Sequence, residues 1–231
     1  MNSKTKIEEV ERIIAVYRNY ANKLEKWSDK NIGNQLIYIE RFQKLTKMIR
    51  SNKINFKNKQ ILDIGCAGGN LIPLLKRFGV GEENICGIDI REERIKEAKI
   101  HFPSSKFKLM DASKMNFKEN SFDCVVTFTL FSSILSKSIR KQISNEILRV
   151  LKPKGYVLYY DSRYNNPFNK DVLKMNINDI NYIFPSMEKY LRPITVLPPI
   201  IRRLGAFSQN IYPTLSKIKI LNTHYMGLFR K

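Results

Sequence analysis

Apolar residues recur every three or four positions along the N-terminal part of this 231-residue chain. Ile7, Val10, Ile14 and Tyr17 share one side of a helix if residues 6–27 are helical. The stretch SDKNIGN interrupts this pattern, and a second helical pattern follows it. We therefore expect two N-terminal helices, which form either a lid or a packed layer.

From residue 59 the pattern changes to short apolar runs that alternate with helical segments. The runs are QILDIG, ENICGIDI, KFKLMD, FDCVVTF and GYVLYYD. Helices are predicted between them at residues 69–78, 91–101, 113–117 and 137–151. The stretch KPKG before Tyr156 predicts a turn between the last of these helices and the fifth strand. Such alternation is typical of right-handed βαβ units, and it predicts an α/β fold with a mostly parallel sheet.

The pattern is looser after Asp161. It predicts a short helix near residues 176–184 and a strand in LRPITVL. PPIIRRLG has a proline at its start and a glycine at its end, which predicts one or two helical turns. The last segment, NTHYMGLFRK, is predicted to be a closing strand.

The chain is strongly basic, with 41 Lys and Arg residues against 21 acids and a net charge of +20. From Lys189 to Lys231 there are eight basic residues and no acid. This charge favours an anionic partner such as nucleic acid, a phosphorylated substrate or an acidic membrane surface. A compositional bias of the genome would produce the same lysine-rich sequence without any ligand, so both interpretations stay open.

Cysteine usage and hydropathy favour a reduced, cytoplasmic protein. Cys66, Cys86 and Cys124 lie in or beside apolar runs without the paired spacing of metal ligands, so we expect no metal site and interpret them as packing residues. A catalytic thiol is the weaker alternative, because no histidine is near them in sequence. We find neither a signal-peptide pattern nor an apolar run long enough to span a membrane.

The stretch ILDIGCAGGN carries a glycine-rich turn between the first predicted strand and the first helix of the alternating region. Such a turn lets the backbone approach a ligand closely. A dinucleotide fingerprint would be G-x-G-x-x-G, which the order of residues 65–69 does not match. Asp63 would also repel a pyrophosphate. A P-loop is excluded, since no Gly-Lys-Ser/Thr follows.

Asp63, Gly65 and Gly69, together with Asp89 after strand two and Asp111-Ala112 after strand three, give the chain a resemblance to class I S-adenosylmethionine-dependent methyltransferases. The first motif of that family is commonly D-x-G-C-G-x-G, so Ala67 departs from it at the middle glycine. The resemblance covers roughly residues 59 to 161. It implies a Rossmann-like doubly wound sheet of seven strands, mostly parallel with the last antiparallel, plus N-terminal helices.

The resemblance also implies the cofactor, S-adenosylmethionine, and the roles of the acids. Asp89 would accept both ribose hydroxyls, Asp111 would accept from the adenine amino group, and Asp63 would orient the loop and the methionine ammonium. The backbone amide of Ala112 would meet an adenine ring nitrogen. The full set of cofactor-binding residues that we predict is Asp63, Gly65, Cys66, Ala67, Gly68, Gly69, Asp89, Ile90, Asp111, Ala112, Thr127 and Phe128.

We expect a single methyltransferase domain over residues 1–231. Its predicted parts are an N-terminal helical lid at 1–57, a cofactor-binding core at 58–161, and an acceptor-side insertion with closing strands at 162–231. After strand four the sequence TFTLFSS lacks the Pro-containing motifs of nucleobase amino and cytosine-C5 methyltransferases. This disfavours those nucleic-acid classes.

The flanking segments resemble a group of bacterial and archaeal methyltransferases found with polysaccharide and glycan biosynthesis genes. The segments are NIGNQLIYIERFQKL, YDSRYNNPFNKDV, TVLPPIIRRLG and LNTHYMGLFRK. The resemblance implies a sugar hydroxyl as the methyl acceptor. An antiparallel last strand would start at the edge where strands four and five end, so we predict His224 as the base, near Asp161 and Arg163.

The acceptor loop and the tail leave several partners open. Arg163 and the following Tyr164, Asn165 and Asn166 suit a phosphorylated or polyhydroxylated acceptor, or form a solvated loop. ITVLPPIIRRLGAF either covers the acceptor pocket or rests weakly on an anionic membrane. Two functions compete with glycan methylation: an RNA methyltransferase that uses the basic tail, and a cofactor-binding protein without catalysis.

Overall fold

The computed structural model describes residues 3–21, 28, 30–167 and 169–231. In these ranges the strands are β1 Ile61–Ile64, β2 Ile85–Asp89, β3 Lys106–Leu109, β4 Phe122–Phe128, β5 Leu151–Ser162, β6 Glu188–Val196 and β7 Asn222–Arg230. The α-helices are α1 Ser3–Ala21, α2 Ile32–Ser51, α3 Ile72–Lys76, α4 Glu92–His101, α5 Lys137–Val150, α6 Ile177–Ile183, α7 Pro198–Arg203 and α8 Ser208–Leu215.

The strands form one seven-stranded sheet in the order β3-β2-β1-β4-β5-β7-β6. The pairs among β1 to β5 are parallel, whereas β7 runs antiparallel to both of its neighbours, β5 and β6. This arrangement confirms the predicted doubly wound sheet with an antiparallel last strand. The carboxyl ends of β1, β2, β4 and β5 and the start of β7 consequently share one edge of the sheet.

Helices cover both faces of the sheet, so its central strands are largely buried. All four residues of β1 are buried, as expected for a parallel strand with helices on each side. One face packs against α2, α3 and α4 through residues such as Leu45, Leu75 and Ala98. The other face packs against α5 and α6, with Ile147 and Ile180 among its buried residues.

The structure corrects several of the predicted element boundaries. The segment 113–117 is a turn rather than the predicted helix. Its backbone forms hydrogen bonds with side chains of α5: Glu146 accepts from the Met115 amide and Arg149 donates to the Met115 carbonyl. Strand β5 starts at Leu151, so KPKG lies inside it, where Lys154 has a φ of 62°. The predicted helix over 6–27 ends at Ala21 in the described chain, and residues 22–27 lie outside the described residues.

Helix α8 was not predicted from the sequence. Its segment, SQNIYPTL, contains Pro213, which is an unfavourable residue inside a helix. The helix is nevertheless stabilised by tertiary contacts, since Tyr212 is buried in a small cluster with Ile37, Val196 and Ile201. Tertiary packing therefore overrides the local sequence signal here.

Candidate active site

The glycine-rich turn after β1 has a strained backbone. Gly65, Ala67 and Gly69 have φ values of 75°, 48° and 82°. Gly69 must be glycine, because a Cβ atom there would lie 2.6 Å from the Phe102 ring. A left-handed alanine costs about 1–2 kcal/mol, and at Ala67 this is offset by a hydrogen bond from its amide to Asp89 Oδ2 at 2.9 Å.

Asp63 lies beneath this turn and is buried. Its Oδ2 atom has no hydrogen-bond partner among the described residues. Burial, followed by the charge of Asp89, raises the pKa of Asp63 to about 7. Asp63 is thus a buried acceptor that can gain a partner from a cationic or hydrogen-donating ligand.

Asp89 ends β2 and is already surrounded by donors. Its Oδ1 accepts from the Arg91 amide at 3.0 Å and from Arg91 Nε at 3.1 Å, and its Oδ2 accepts from Arg91 Nη2 at 3.2 Å. The Arg91 guanidinium also lies over the Tyr17 ring of α1, 4.6 Å from the ring centroid. The Arg91 side chain must therefore move before Asp89 can accept from two ribose hydroxyls.

Helix α1 also reaches the acid that follows β3. Lys6 Nζ lies 2.8 Å from Asp111 Oδ2. Although burial opposes ionisation, this contact and a hydrogen bond from the Ser113 amide lower the pKa of Asp111. On the acceptor side, the Tyr17 hydroxyl contacts Ser133 Oγ at 2.8 Å. Helix α1 thus covers the shared edge of the sheet from β3 to the turn after β4.

Other predicted cofactor residues lie along the same edge. Ala112 is buried and follows Asp111, and Thr127 is buried with an unpartnered Oγ1 among the described residues. Phe128 lies one residue further along β4 and packs on Tyr160, with ring centroids 5.4 Å apart. A Cβ on Gly65 would lie 3.5 Å from Leu130, so the turn after β1 adjoins the loop after β4.

His224 lies near the start of β7 and stacks on Tyr160, with ring centroids 4.8 Å apart and an interplanar angle of 4°. The Thr223 hydroxyl donates its proton to the Thr195 carbonyl at 3.0 Å, so it must accept from His224 Nδ1, 2.9 Å away. Nε2 is consequently an acceptor, and it lies 3.4 Å from Ser162 Oγ.

The pKa of His224 differs from the near-neutral value that is expected of a base. Burial, then the positive charges of Arg41 and Arg202, lower the pKa of His224 to about 3. The side chain keeps partial solvent exposure. The imidazole is therefore neutral at physiological pH, and any role as a base depends on what else binds near the two guanidinium groups.

Asp161 does not lie beside His224, contrary to prediction. In the β5–β7 register Ser162 is opposite His224 and Asp161 is opposite Tyr225. Because successive side chains of a strand point to opposite faces, Asp161 and His224 are on different faces of the sheet. The Asp161 Oδ2 atom accepts from the Phe131 and Ser132 amides at 2.9 and 3.1 Å. Burial raises its pKa to about 6.

Arg163 is also used differently from the prediction. Its Nη1 donates to the Lys219 carbonyl at 2.7 Å and to the Asn222 carbonyl at 3.0 Å. The guanidinium lies over the Tyr225 ring, 4.9 Å from the centroid. Arg163 therefore joins the end of β5 to the segment that enters β7, and Asp161 holds the turn after β4. Neither residue forms a catalytic set with His224.

The cysteines behave as packing residues. Cys66, Cys86 and Cys124 are buried free thiols. Burial raises the pKa of each thiol above its ordinary value. A buried thiol with a raised pKa is a poor nucleophile, so a catalytic cysteine is not supported.

Residues 61–155 match a family described as a methyltransferase domain. The matched segment is 95 of the chain's 231 residues. It begins with β1 and includes the glycine-rich turn, Asp89, Asp111 and the whole of β4 and α5. The comparison therefore covers the predicted cofactor-binding core and leaves the N-terminal helices and the acceptor side outside it.

Two curated proteins show the range of relatives. The 2-methyl-6-phytyl-1,4-hydroquinone methyltransferase of Synechocystis sp. is 32% identical over 105 residues, which cover 44% of this chain and 31% of that protein. The phthiotriol/phenolphthiotriol dimycocerosates methyltransferase of Mycobacterium tuberculosis is 30% identical over 118 residues, covering 50% of this chain and 42% of that protein. The matched part therefore spans less than half the length of these relatives.

A solved structure extends the likeness to most of the fold. A SAM-dependent methyltransferase from Methanosarcina mazei superposes with a TM-score of 0.59 at 21% identity, covering 79% of this chain and 96% of that one. The chain shares the fold of that structure, and this fold together with the methyltransferase-domain match of residues 61–155 implies S-adenosylmethionine as the cofactor.

The residues present fit that cofactor. The unpartnered Oδ2 of buried Asp63 is an acceptor for the methionine ammonium, and the left-handed turn at Gly65 and Gly69 keeps the backbone open to a ligand. Asp89 and Asp111 supply carboxylates at neighbouring strand ends, each now paired with a cation, Arg91 and Lys6. The site is therefore chemically suited to S-adenosylmethionine once these two cations are displaced.

Sequence reasoning missed three basic residues that shape the site, and it placed the segment of a fourth, Arg202, either over the acceptor pocket or on a membrane. Arg91 and Lys6 pair with the predicted cofactor carboxylates, and Arg41 and Arg202 set the electrostatics around His224. Arg91 could have been noticed because it follows Asp89 by two residues. Lys6 and Arg41 come from distant helices, α1 and α2, and no local pattern marks them.

The described helices include none with both the length and the apolar composition needed to cross a bilayer.

Proposed function

We propose that the whole chain uses S-adenosylmethionine to methylate a sugar hydroxyl group in a nucleotide-linked or lipid-linked glycan. The observation that carries the hydroxyl acceptor is His224: its Nδ1 is the protonated nitrogen, and Nε2 remains an acceptor at the active-site edge. A hydroxyl acceptor needs a group of this kind to take its proton.

The chain's own residues supply three things to this reaction. Asp63, Asp89, Asp111 and the backbone of residues 65–69 would hold the cofactor, which supplies an activated methyl group on a sulfonium. The side chains around Tyr160 and His224 would orient the acceptor, because proximity is the main contribution that an enzyme makes to methyl transfer. The Nε2 atom of His224 would take the proton of the acceptor hydroxyl.

Polar groups near His224 support a polyhydroxylated acceptor. Ser162 Oγ is 3.4 Å from Nε2, and the Tyr160 hydroxyl contacts Thr195 Oγ1 at 2.9 Å. Thr195 has a φ of 70°, a conformation that a β-branched residue adopts at a cost of about 1–3 kcal/mol. Strain of this kind is concentrated at functional sites, which agrees with an acceptor site at this edge.

A second candidate acceptor is a hydroxyl-bearing lipid. The curated relatives are named for a phytyl hydroquinone and for phthiotriol dimycocerosates, and their matched segments are of similar length to this domain. The polar lining around His224 favours the sugar over an acceptor with a bare apolar body. RNA methylation and cofactor binding without catalysis are two further functions that the same experiment distinguishes.

The experiment that tests the proposal is methyl transfer from S-adenosylmethionine labelled on its methyl group. The purified chain is incubated with separated fractions of the source cells: nucleotide sugars, glycolipids, other lipids and RNA. We expect label in a sugar-containing fraction. Label confined to RNA or to sugar-free lipids would overturn the sugar acceptor, and binding of S-adenosylhomocysteine without any labelled product would support a non-catalytic protein.

The role of His224 is tested by His224→Gln. We expect turnover to fall at least about a hundredfold, the usual scale for loss of a general base, while the affinity for S-adenosylhomocysteine is unchanged. His101→Gln is the matched control, since the chain has only two histidines and His101 lies at the end of α4. Equal turnover in wild type and His224→Gln would remove His224 from the mechanism.

A further inference from the structure

Two arginines from separate helices converge on the aromatic pair that lines the acceptor edge. The Arg41 guanidinium of α2 lies over the Tyr160 ring, 5.2 Å from the centroid, and His224 stacks on the same ring. Arg202 belongs to α7, which packs against α2 at Gly33, and its positive charge is one of the causes that lower the pKa of His224. Arg41, Arg202 and His224 are all partly exposed, so solvent and ligands can reach them.

Packing against α2 holds Arg202 in place. Arg202 Nε donates to Asn34 Oδ1 at 2.6 Å, and Asn31 Nδ2 donates to the Arg202 carbonyl at 3.2 Å. Gly33 of α2 fits against the Arg202 backbone so closely that a Cβ would lie 2.8 Å from it. The contact between α2 and α7 therefore fixes Arg202 against the helix that carries Arg41, whose guanidinium lies over Tyr160.

The charge of this corner is positive. Burial lowers the pKa of Arg202, and the charge of Arg41 lowers it further, as expected for two like charges close together. The acid of the corner is Glu40, which is buried and whose Oε2 accepts from the Thr195 amide at 2.8 Å and the Tyr212 hydroxyl at 2.7 Å. In the described chain no carboxylate lies within 4 Å of the Arg41 guanidinium.

This arrangement matches the chemistry of a phosphate group. A guanidinium stays charged at any physiological pH and presents a planar set of donors that suits a phosphate bidentately. Two such groups on different helices can contact different oxygens of one tetrahedral anion. The contact between Tyr160 and Phe128 connects this corner to the end of β4, so an anion here would lie on the acceptor side of the cofactor turn.

We propose that Arg41 and Arg202 bind a phosphate group of the methyl acceptor. The inference rests on the proposed function and deepens it, because it assigns the acceptor to the phosphate esters. The phosphate belongs either to a soluble sugar phosphate or nucleotide sugar, or to a lipid-linked glycan.

A bound phosphate would also change the state of His224. Burial suppresses protonation of the imidazole most, and the two guanidinium charges add to this effect. The negative charge of the phosphate would offset the guanidinium contribution. The pKa of His224 would rise, and Nε2 would become a stronger base only when a phosphorylated acceptor is in place. An uncharged sugar would not raise the pKa of His224. We therefore expect the site to select phosphate esters over uncharged sugars.

The test is a titration of the full chain with glucose 1-phosphate, followed through the histidine ring resonances in NMR spectra. His101 provides an internal reference, because the chain has only two histidines. We expect glucose 1-phosphate and inorganic phosphate to shift the His224 resonances saturably, and glucose to leave them unchanged. A wild-type protein whose His224 resonances do not respond to either phosphate would overturn the proposal.

Arginine variants show whether the response comes from this site. Arg41→Gln and Arg202→Gln should each weaken phosphate binding at least about tenfold, as expected for the loss of a hydrogen bond between charged groups. Arg41→Lys should retain part of the affinity. Arg50→Gln removes the same charge from an exposed position of α2 and should bind like wild type. Equal losses in Arg50→Gln and Arg41→Gln would overturn the assignment.

Circular dichroism and S-adenosylhomocysteine binding verify that each variant is folded. They also separate the two hypotheses. A protein that binds S-adenosylhomocysteine but not phosphate retains the proposed methyltransferase function and loses this inference. A protein that binds phosphate through Arg41 and Arg202 but transfers no methyl group retains the anion site and loses the proposed function.

Vesicles distinguish the two sources of the phosphate. Sedimentation with phosphatidylglycerol vesicles, but not with phosphatidylcholine vesicles, that is lost in Arg41→Gln and kept in Arg50→Gln would assign the phosphate to a lipid-linked acceptor. Binding of glucose 1-phosphate without sedimentation would assign it to a soluble phosphate ester. Sedimentation that is the same in Arg41→Gln and wild type would contradict a lipid-linked phosphate at this site.

Discussion

Asp63 shows how burial of one residue can control ligand binding. Its carboxyl lies beneath the left-handed turn with one oxygen that lacks a partner among the described residues, and its pKa is raised to about 7. The raised pKa means that the ionised form is disfavoured in the folded protein. A cationic ligand group at Oδ2 would stabilise the ionised carboxylate that burial disfavours. Loss of the Asp63 proton and ligand binding are therefore coupled.

This coupling predicts a pH-dependent affinity for S-adenosylhomocysteine. Below pH 7 Asp63 is protonated and must lose a proton to contact the ligand ammonium, so affinity should rise about tenfold from pH 6 to pH 8. Asp63→Asn should bind more weakly and show no such rise. Calorimetric titration measures both effects. The control Asp123→Asn, at the opposite edge of the sheet, should keep the pH dependence, and a rise that survives in Asp63→Asn would refute the assignment.

Helix α1 contacts the edge of the sheet that carries the predicted cofactor residues. Tyr17 covers Arg91 and contacts Ser133, and Lys6 pairs with Asp111, so one helix contacts three parts of the shared edge. A ligand at Asp89 and Asp111 competes with the Arg91 and Lys6 side chains, whereas the hydrogen bond between Tyr17 and Ser133 involves neither carboxylate and can hold α1 over a bound ligand. We therefore propose that α1 acts as the lid predicted for the N-terminal region, and we expect its contacts to control how fast the cofactor exchanges.

The lid predicts that Tyr17→Ala speeds ligand release. The change removes a partly buried hydrogen bond and aromatic packing worth about 1–2 kcal/mol together, which corresponds to roughly tenfold faster dissociation of S-adenosylhomocysteine. Stopped-flow displacement measures the rate. Asn19→Ala, at an exposed position of the same helix, should dissociate like wild type. If the two variants dissociate at the same rate, α1 does not act as a lid.

At the scale of the whole molecule, the charge of +20 opposes compaction. The C-terminal part from Lys189 to Lys231 contributes eight basic residues without an acid, and it forms most of β6, the whole of β7 and the two short helices beside α2. Two of the positive charges of the whole chain, those of Arg41 and Arg202, belong to the proposed phosphate site. The remainder is spread over the surface, where salt screens it.

Screening should therefore stabilise the protein. We expect the melting temperature to rise when NaCl increases from about 20 mM to about 200 mM, because self-repulsion of the folded chain weakens over this range. Differential scanning calorimetry measures the change, and an uncharged osmolyte at matched osmolality is the control. A melting temperature that is unchanged or lowered by salt would mean that stabilising ion pairs outweigh the repulsion.

The sequence by itself determined the βα alternation, the packing role of the cysteines and the position of the cofactor turn, because spacing within a short segment sets each of them. Only the tertiary structure decided which side chains meet. The β5–β7 register put Asp161 and His224 on opposite faces, and Arg91 turned back onto Asp89. Arg41 and Arg202 meet because α2 and α7 pack together, a contact between residues far apart in the chain that depends on the shape of the whole core.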